Sequence, residues 1–507
     1  MSQPSRMLTL HPQDNIAVAL ADISAGEIDR ETGLKILQPV KQGHKVAIAA
    51  ITSGQNVLRY GQTIGQATVD IEAGEHVHVQ NLGMGEHTRE YAPTSEARTL
   101  SEIHEERTFN GYYRADGSVG TRNYLGILTS VNCSGSVAKF IAEAAERSGF
   151  LDAFPNIDGI VPITHGTGCG MSGENEGYDT LFRTLSGYAQ HPNFGGILLI
   201  GLGCEVMQVS ALVGGRAIRA DGALRYMTIQ HEGGTRKTIE KGLAELHSIA
   251  ELANMATRQP APISDLIVGM QCGGSDGYSG ITANPALGVA SDLVVRHGGT
   301  TILSETSEIY GAEHLLTRRA VSVEVGEKLI DRVRWWEDYT ARNHGEMDNN
   351  PSPGNKRGGL TTILEKSLGA VAKSGSAPLT DVYLFGEKID KKGFVFMDSP
   401  GFDPCSVTGQ IASGANLIVF TTGRGSVSGY MPTPCIKVAT NSEMYARMSD
   451  DMDINCGDII SGDATLNGKG RDIFELFISI ASGAQTKSEE LGFGGVEFVP
   501  WQIGAVM

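Results

Sequence analysis

Four of the seven cysteines follow short apolar segments that have the composition of buried β-strands. The segments YLGILTSVNC, GIVPITHGTGC, GGILLIGLGC and DLIVGMQC end at Cys133, Cys169, Cys204 and Cys272. If these strands are parallel neighbours, four thiols face one crevice at their carboxyl ends, where open α/β sheets bind ligands. Because thiolates bind soft or borderline metals, this pattern predicts a site for zinc, iron or an iron–sulfur cluster. The alternative is that each cysteine is a small buried hydrophobic residue.

The other three cysteines, Cys405, Cys435 and Cys456, lack this strand-end context, and we predict that they are structural. Seven is an odd number and too few for a disulfide scaffold in a chain of 507 residues. The first residues, MSQPSRMLTLHPQDN, contain no signal-peptide core. We therefore expect reduced thiols and a cytoplasmic protein.

Histidines add a second set of potential ligands. His165 lies four residues before Cys169 and is either a nitrogen ligand, a base, or a hydrogen-bonded strand-end residue. His76 and His78 are two residues apart, which on a strand places both imidazoles on one face. That spacing suits a metal pair, although exposed strand histidines are also common. His44, in QGHKVAI, is a weaker candidate on spacing alone.

Three polar loops offer groups that bind a sugar acid. In QCGGSDGYSGITANP, residues Ser275, Asp276 and Asn284 surround glycines and suit hydroxyl binding, or else cap a strand-to-helix turn. NPSPGNKRGG contains Asn355 and Lys356, and FTTGRGS contains Arg424. Arginine holds a carboxylate bidentately, while lysine acts as a point charge or a base.

Composition excludes several classes of partner. With 41 Lys+Arg and 58 Asp+Glu, the net charge is −17, which disfavours binding to nucleic acid. The sequence contains no apolar run of 18 residues, so we expect no membrane span. GLGCEV lacks the third glycine of a dinucleotide-binding loop, and no phosphate-binding P-loop motif is present. The 65 glycines indicate many tight turns and close backbone approaches.

The order of apolar and polar segments along the chain predicts an α/β protein with a small β domain at its amino end. Residues 1–85 contain short β-branched runs between glycines, and residues 86–110 form a polar linker. From residue 111 onwards, continuous apolar strands alternate with helical segments, which is typical of a mainly parallel sheet covered on both faces. RQPAPIS breaks the pattern near residue 258 and divides this body into 111–258 and 259–507.

Taken together, the motifs DNIAVAL, GHKVA, ADGSVGTRN, IGLGCE, QCGGSDGYSGITANP, NPSPGNK and FTTGRG resemble the altronate/galactarate dehydratase family of sugar-acid hydro-lyases over essentially the whole chain. The resemblance implies an amino-terminal SAF domain with a β-clip fold. It implies dehydration of a hexonate or hexarate to a 2-keto-3-deoxy acid. It also implies Fe²⁺ as cofactor. We expect Mn²⁺ as a substitute ion, and the rival hypothesis for the metal site is an iron–sulfur cluster with three thiolates and one open iron. Sulfolactate sulfo-lyases are similar but divide the two parts between chains.

The family motifs match this chain at eight positions: Cys133, His165, Cys169, Cys204, Glu205, Cys272, Ser275 and Asp276. Features of both the altronate and the galactarate branch are present, so the substrate stays open between the two. The metal is assigned to some of the four strand-end cysteines, with His165 as a further ligand and His76 and His78 as an alternative pair.

Among the polar loops, Lys356 and Arg424 are expected to hold the substrate carboxylate, and Ser275, Asn284 and Asn355 are expected to contact the substrate. The base is His165 or Lys356, with Asp276 as a further acid–base candidate. The rival hypothesis is a non-enzymatic protein that binds a sugar acid. Large cytoplasmic enzymes often form symmetric dimers, so we expect a homodimer.

Overall fold

The computed structural model describes residues 6–85, 89–214, 222–504 and 506 of the chain. Small parts of the predicted segments, at 1–5, 86–88, 215–221, 505 and 507, lie outside the described residues. Among the helices of the described residues, none combines the length and the apolar character that a bilayer crossing requires.

Residues 6–85 form a small all-β unit, which we call the N-terminal domain. Its strands form two antiparallel sheets, ordered β1-β2-β3-β6 and β4-β5-β7. The strands are β1 (Met7–Leu8), β2 (Ile16–Ala19), β3 (Lys45–Ala47), β4 (Asn56–Arg59), β5 (Gln62–Ala67), β6 (His76–Val77) and β7 (Leu82–Gly83). Every residue of β2 and β3 is buried, which accounts for their unbroken apolar character.

The segment from residue 89 to residue 107 contains neither helix nor strand. It lies along the C-terminal part of the chain, where Arg89 forms an ion pair with the buried Glu313 and the Tyr91 hydroxyl donates to the same carboxylate. This connection is therefore held against the protein surface by specific polar contacts.

The middle domain, residues 111–254, is built on a four-stranded parallel sheet ordered β11-β10-β12-β13. The strands of this sheet are β10 (Tyr124–Thr129), β11 (Gly159–Ile163), β12 (Phe194–Gly201) and β13 (Leu224–Thr228). Before them, β8 (Thr108–Tyr113) and β9 (Val119–Gly120) form a separate antiparallel sheet with β14 (Gln259–Pro262). Its helices are α1 (Gly135–Arg147), α2 (Glu176–Ala189), α3 (Val209–Gly214), α4 (Ile229–Glu232) and α5 (Thr235–Ala253). On α1, Val137, Ala138, Ile141, Ala142 and Ala145 are buried, which is the spacing of one apolar helix face.

The C-terminal domain, residues 263–504, contains a seven-stranded parallel sheet ordered β17-β18-β16-β15-β19-β20-β21. Its strands are β15 (Ile267–Cys272), β16 (Thr300–Leu303), β17 (Leu379–Tyr383), β18 (Gly393–Met397), β19 (Leu417–Thr422), β20 (Cys435–Ala439) and β21 (Ile454–Asn455). The strand before this sheet, β14 (Gln259–Pro262), pairs with β8. The helices are α6 (Ala283–Arg296), α7 (His314–Thr317), α8 (Val323–Arg342), α9 (Pro353–Arg357), α10 (Ile363–Val371), α11 (Asp403–Ala412), α12 (Ser442–Arg447), α13 (Asp458–Ser461), α14 (Leu466–Ala481) and α15 (Lys487–Glu490). The predicted α/β fold class with a β domain at the amino end is confirmed.

The order of the strands creates a crevice between β15 and β19. From β15 the chain continues to β16 on one side, while from β19 it continues to β20 on the other. The carboxyl ends of strands at such a topological switch point are where open α/β sheets bind ligands. The polar loops QCGGSDGYSG and GRGS follow β15 and β19, so both open into this crevice.

The expectation that all four cysteine-ending strands are neighbours in one sheet is wrong. β10, β11 and β12 lie side by side in the middle domain, but β15, which ends at Cys272, belongs to the C-terminal sheet. Each strand has the same local character, and the sheet it joins is decided by long-range packing that periodicity does not reveal.

A buried ion network fastens the N-terminal domain to the C-terminal domain. The Glu365 carboxylate on α10 accepts from Lys45 Nζ at 2.9 Å and from Arg59 Nη1, and all three side chains are inaccessible to solvent. Lys45 also donates to the Gly359 carbonyl and Arg59 to the Gly277 carbonyl, both at 2.6 Å. Burial would raise the pKa of Glu365, but the two cations lower it to about 2, so this carboxylate is ionised. Burial lowers the pKa of Lys45, and Glu365 acts in the opposite direction.

Candidate active site

A cavity of about 570 Å³ lies where the N-terminal domain meets the loops that follow β15 and β19. This volume is within the range of small-molecule sites. The motifs at 271–285 and 420–425 and the histidine segments of the N-terminal domain reach this region, as do Arg357 and Gly358, which follow the motif at 350–356. The lining residues are Asp22, Lys41, Gln42, Gly43, His44, His78, Asp276, Tyr278, Arg357, Gly358, Gly423, Arg424, Asn441, Glu443, Met444 and Arg447.

Glycines allow these loops to approach one another. A Cβ atom on Gly277 would overlap the carbonyl oxygen of Gly43, so the GHK segment and the SDG loop touch backbone to backbone. A Cβ atom on Gly423 would overlap the Asp276 carboxylate. The glycines of the three motifs therefore serve close packing of the cavity walls, as their abundance in the sequence indicated.

Asp276 anchors the loop on which it lies. Its carboxylate is buried and accepts hydrogen bonds from Thr440 Oγ1, Asn441 Nδ2, Ser279 Oγ and the Tyr278 backbone N–H, at 3.0 to 3.1 Å. Burial raises its pKa, while these donors act in the opposite direction. With its oxygens occupied by protein donors, Asp276 is placed to fix the loop rather than to exchange protons with a ligand.

Three histidines of the N-terminal domain form a cluster beside the cavity. The ring centres of His44, His76 and His78 lie 4.9 to 5.4 Å apart. His44 Nδ1 and His76 Nε2 are hydrogen-bonded at 3.0 Å, and His44 Nε2 lies 3.2 Å from the Arg357 carbonyl. Because a carbonyl only accepts, His44 carries its proton on Nε2, and the lone pair on Nδ1 faces His76.

The cluster is held in the neutral state by its surroundings. Burial lowers the pKa of His44, and it lowers those of His76 and His78 to about 4 and about 3, with Lys45 and the neighbouring rings contributing. Neutral imidazoles have the lone pairs that a metal ion requires. His78 Nδ1 is buried and has no hydrogen-bond partner among the described residues. Sequence spacing identified His76 and His78, but the contribution of His44 depends on the pairing of β3 with β6.

The cavity is rich in cationic side chains. Arg357, Arg424 and Arg447 line it, and no ion pair of the described residues involves any of the three. Lys41 at the rim is paired with Asp22 at 2.7 Å. Of the three arginines, Arg424 was proposed as a carboxylate ligand from sequence. Arg447 was missed because it lies on α12, a short helix with no glycine-rich signal.

The other polar residues predicted to bind substrate are engaged with the protein. Asn284 donates to the Gly369 carbonyl and accepts from Thr421 Oγ1, while Asn355 accepts from Ser352 and donates to the Ser275 carbonyl. Ser275 is buried, and its hydroxyl has no hydrogen-bond partner among the described residues. These residues join the loops to one another and are not part of the cavity lining, and neither is the half-buried Lys356.

His165 lies in the middle domain, and both of its ring nitrogens are occupied. Nε2 lies 3.0 Å from the Thr129 carbonyl, and Nδ1 accepts from the Thr167 backbone N–H. Burial lowers its pKa to about 4, so the ring is neutral. We assign His165 no part in binding or proton transfer at the cavity.

Cys272 lies at the end of β15 in a buried charged cluster. Its Sγ is 3.8 Å from Glu308 Oε2, and ligand atoms of Cys272, Glu305 and Glu308 all lie within 4.8 Å of one another. Lys366 Nζ pairs with Glu308 at 2.7 Å, and Lys373 Nζ lies 3.9 Å from Glu305. Lys366 thus provides counter-charge for Glu308, while burial and the neighbouring Glu308 raise the pKa of Glu305 well above its usual value.

The site is therefore a cavity between two domains that is lined by cationic side chains and lies at the switch point of a parallel sheet, beside a cluster of neutral histidines. Family models match nearly the whole chain: the altronate/galactarate dehydratase SAF domain at residues 5–85, the D-galactarate dehydratase/altronate hydrolase second domain at 111–254, and the D-galactarate/altronate dehydratase C-terminal domain at 263–506. The chain belongs to the galactarate/altronate dehydratase family and is a hydro-lyase that acts on a sugar acid.

Individual relatives agree with this assignment. Galactarate dehydratase (L-threo-forming) of Escherichia coli strain K12 is 39% identical over 499 residues, covering 96% of this chain and 94% of the relative. Altronate dehydratase of Bacillus subtilis strain 168 is 35% identical, covering 96% of this chain and 97% of the relative. The β subunit of (2R)-sulfolactate sulfo-lyase from Chromohalobacter salexigens is 32% identical over 76% of this chain and 95% of its own length.

Proposed function

We propose that the protein dehydrates a hexarate of the galactarate type to a 2-keto-3-deoxy acid, using a ferrous ion held by His44, His76 and His78. One observation carries this proposal. The cavity places three arginines without an ionic partner among the described residues beside a cluster of neutral histidines.

The number of arginines favours a substrate with two carboxylates. A hexarate has a carboxylate at each end, whereas a hexonate such as altronate has one. Arg357, Arg424 and Arg447 come from α9, the loop after β19 and α12, so they approach the cavity from three directions. A hexonate brings one carboxylate and would leave some of the three arginines without a negative partner, which is unfavourable. A hexarate brings a second carboxylate.

The reaction removes one proton and one hydroxyl group from neighbouring carbons. The C2 proton leaves first or together with the C3 hydroxyl, which departs as water after taking up a proton. The resulting enol becomes the 2-keto acid when C3 accepts a proton. Charge grows next to the C1 carboxylate as C2 loses its proton, so a guanidinium group on that carboxylate lowers the barrier.

The histidine cluster supplies ligands of the kind that bind iron, since the three imidazoles are neutral and their ring centres lie 4.9 to 5.4 Å apart. The nitrogens of the three rings do not all lie within 4.8 Å of one another, so the rings would have to turn towards a shared ion. When bound, such an ion supplies Lewis acidity for departure of the hydroxyl group. Two lone pairs of the cluster could be given to such an ion: that of His44 Nδ1, which faces His76, and that of His78 Nδ1, which has no hydrogen-bond partner among the described residues.

The proposal is tested by incubating anaerobic protein with Fe²⁺ and separate solutions of galactarate, altronate and sulfolactate, and measuring 2-keto acid. Loss of one charge-assisted contact is worth about 1.5–3 kcal/mol, so kcat/KM for galactarate should exceed that for altronate about 10–100-fold. A preference for altronate contradicts the choice of a diacid. A protein that binds these acids but forms no keto acid contradicts the proposed reaction.

Arginine variants then assign the second carboxylate site. Arg447→Gln should lower kcat/KM for galactarate while leaving that for altronate nearly unchanged, because only the diacid loses a contact. Arg334→Gln, an exposed arginine on α8 remote from the cavity lining, is the matched control. Equal losses on both substrates would assign Arg447 to the shared carboxylate instead.

A further inference from the structure

The three remaining strand-end cysteines share one edge of the middle sheet. Cys133 follows β10, Cys169 follows β11 and Cys204 follows β12, and these three strands are adjacent and parallel. Their carboxyl ends therefore lie together. This edge belongs to a different sheet from the cavity and contributes no residue to the cavity lining.

Hydrogen bonds join the three cysteine loops to one another. The Asn132 N–H, next to Cys133, donates to the Thr167 carbonyl at 2.9 Å, and the Val206 N–H donates to the Gly168 carbonyl, next to Cys169, at 3.1 Å. Each cysteine is thus within two residues of a bond to another cysteine loop. These two hydrogen bonds hold the loops after β10, β11 and β12 next to one another.

A buried carboxylate adds a further link between the loops after β10 and β12. Glu205, next to Cys204, accepts from the Ser130 hydroxyl at 2.7 Å and from the Gly203 N–H at 2.5 Å. Gly168 has a φ of +97°, and a Cβ atom there would overlap the Ser130 carbonyl, so the loops after β10 and β11 are in direct contact. Substitution at Gly168 would separate them.

The three thiols are exposed, whereas the other four cysteines of the chain are buried. Cysteine is among the residue types most often found fully buried. Three exposed thiols on linked loops therefore need an explanation other than packing.

Two residues of these loops that could serve as a fourth ligand, His165 and Glu205, are already engaged with the protein. His165 has both nitrogens in hydrogen bonds, and Glu205 is occupied by the contacts above. Structural zinc sites are closed by four protein ligands, so a set of three thiolates does not match one. Three thiolates do match a cuboidal iron–sulfur cluster in which one iron has no protein ligand.

We propose that Cys133, Cys169 and Cys204 bind an iron–sulfur cluster, distinct from the ion at the histidine cluster, with one iron left open to an external ligand. Binding deprotonates the three thiols and takes iron and sulfide from the assembly mixture, without a change to any other group of the chain. The site goes beyond the proposed function, because dehydration in the cavity does not require it.

The test uses the full chain, purified and reconstituted anaerobically with Fe²⁺ and sulfide, and then desalted. We measure iron, acid-labile sulfide and visible sulfur-to-iron absorbance, with circular dichroism to confirm folding. Wild type should retain sulfide and absorbance. Cys169→Ser and Cys204→Ser should each lose most of both, while the matched buried controls Cys405→Ser and Cys435→Ser should retain both.

His76→Gln separates the two metal sites. It should lose the ion that the histidines hold and keep sulfide and absorbance unchanged. Retention of sulfide and absorbance in a folded Cys133/Cys169/Cys204 triple serine variant would overturn the cluster proposal, and so would their absence from reconstituted wild type. Keto-acid formation is assayed separately, so failure of the cluster and failure of the dehydratase assignment give different results.

Discussion

The edges of the two parallel sheets carry the same sequence feature in opposite environments. At the edge of the C-terminal sheet, Cys272 is buried beside Glu305, Glu308 and two lysines. At the edge of the middle sheet, Cys133, Cys169 and Cys204 are exposed on linked loops. Each cysteine ends an apolar strand, so the strand does not determine the role of the thiol.

The two edges differ in the part of the protein that covers them. Over the C-terminal sheet lie α10 and the N-terminal domain, which is fastened there by Lys45, Arg59 and Glu365. Charges buried under that layer must be paired, and changes there should affect folding. The cysteine loops of the middle sheet remain open to solvent, so changes there should affect a bound group and leave the fold intact.

The largest expected effect is on the buried edge. Glu308→Ala leaves Lys366 buried without its carboxylate partner, which should cost about 3–5 kcal/mol of unfolding free energy. Urea denaturation followed by tryptophan fluorescence measures this cost. Glu327→Ala, at an exposed position on α8, should change stability by no more than about 0.5 kcal/mol. Equal costs for the two substitutions would show that the buried pair is not needed for folding.

An intermediate effect concerns the histidine cluster in metal-free protein. The pKa values of His76 and His78 are lowered to about 4 and about 3, whereas an unfolded histidine titrates near about 6.5. The unfolded chain therefore binds more protons below about pH 6.5, and stability is lost as pH falls from there towards about 4.

Thermal unfolding at a series of pH values measures that loss. The wild-type melting temperature should fall more steeply between pH 7 and pH 5 than that of the His76→Gln/His78→Gln variant, in which these groups no longer titrate. Parallel curves for the two proteins would contradict the lowered pKa values.

The smallest effect on stability is expected at the exposed edge. In the metal-free chain, Cys133→Ser, Cys169→Ser and Cys204→Ser should each shift unfolding by no more than about 0.5 kcal/mol, since exposed side chains make few packing contacts. Thiol labelling of the folded protein should modify these three cysteines and spare the four buried ones. Rapid labelling of Cys272 would remove the contrast between the two edges.

Much of the architecture was predictable from the chain. The apolar runs of β10, β12, β15 and β19 are long and continuous, so their strands and the parallel α/β class follow directly. Strands β17, β18 and β20 were missed. In β20 the buried Lys437 breaks the apolar run.

The site was predictable in its motifs but not in its assembly. Glycine-rich loops pointed to the walls of the cavity, and His76 and His78 to a histidine pair. The third histidine, the third arginine and the separation of Cys272 from the other thiols depend on pairings between residues far apart in sequence. Local spacing holds no information about such pairings.

The central claim is that a diacid loses water between C2 and C3 in the cavity. It is tested most directly by converting galactarate with iron-loaded protein in D₂O and recording the proton spectrum of the product. We predict a 2-keto-3-deoxy acid with a single deuterium at C3, because the enol takes that hydrogen from solvent. Absence of keto acid, or a C3 methylene that contains no deuterium, would contradict the account.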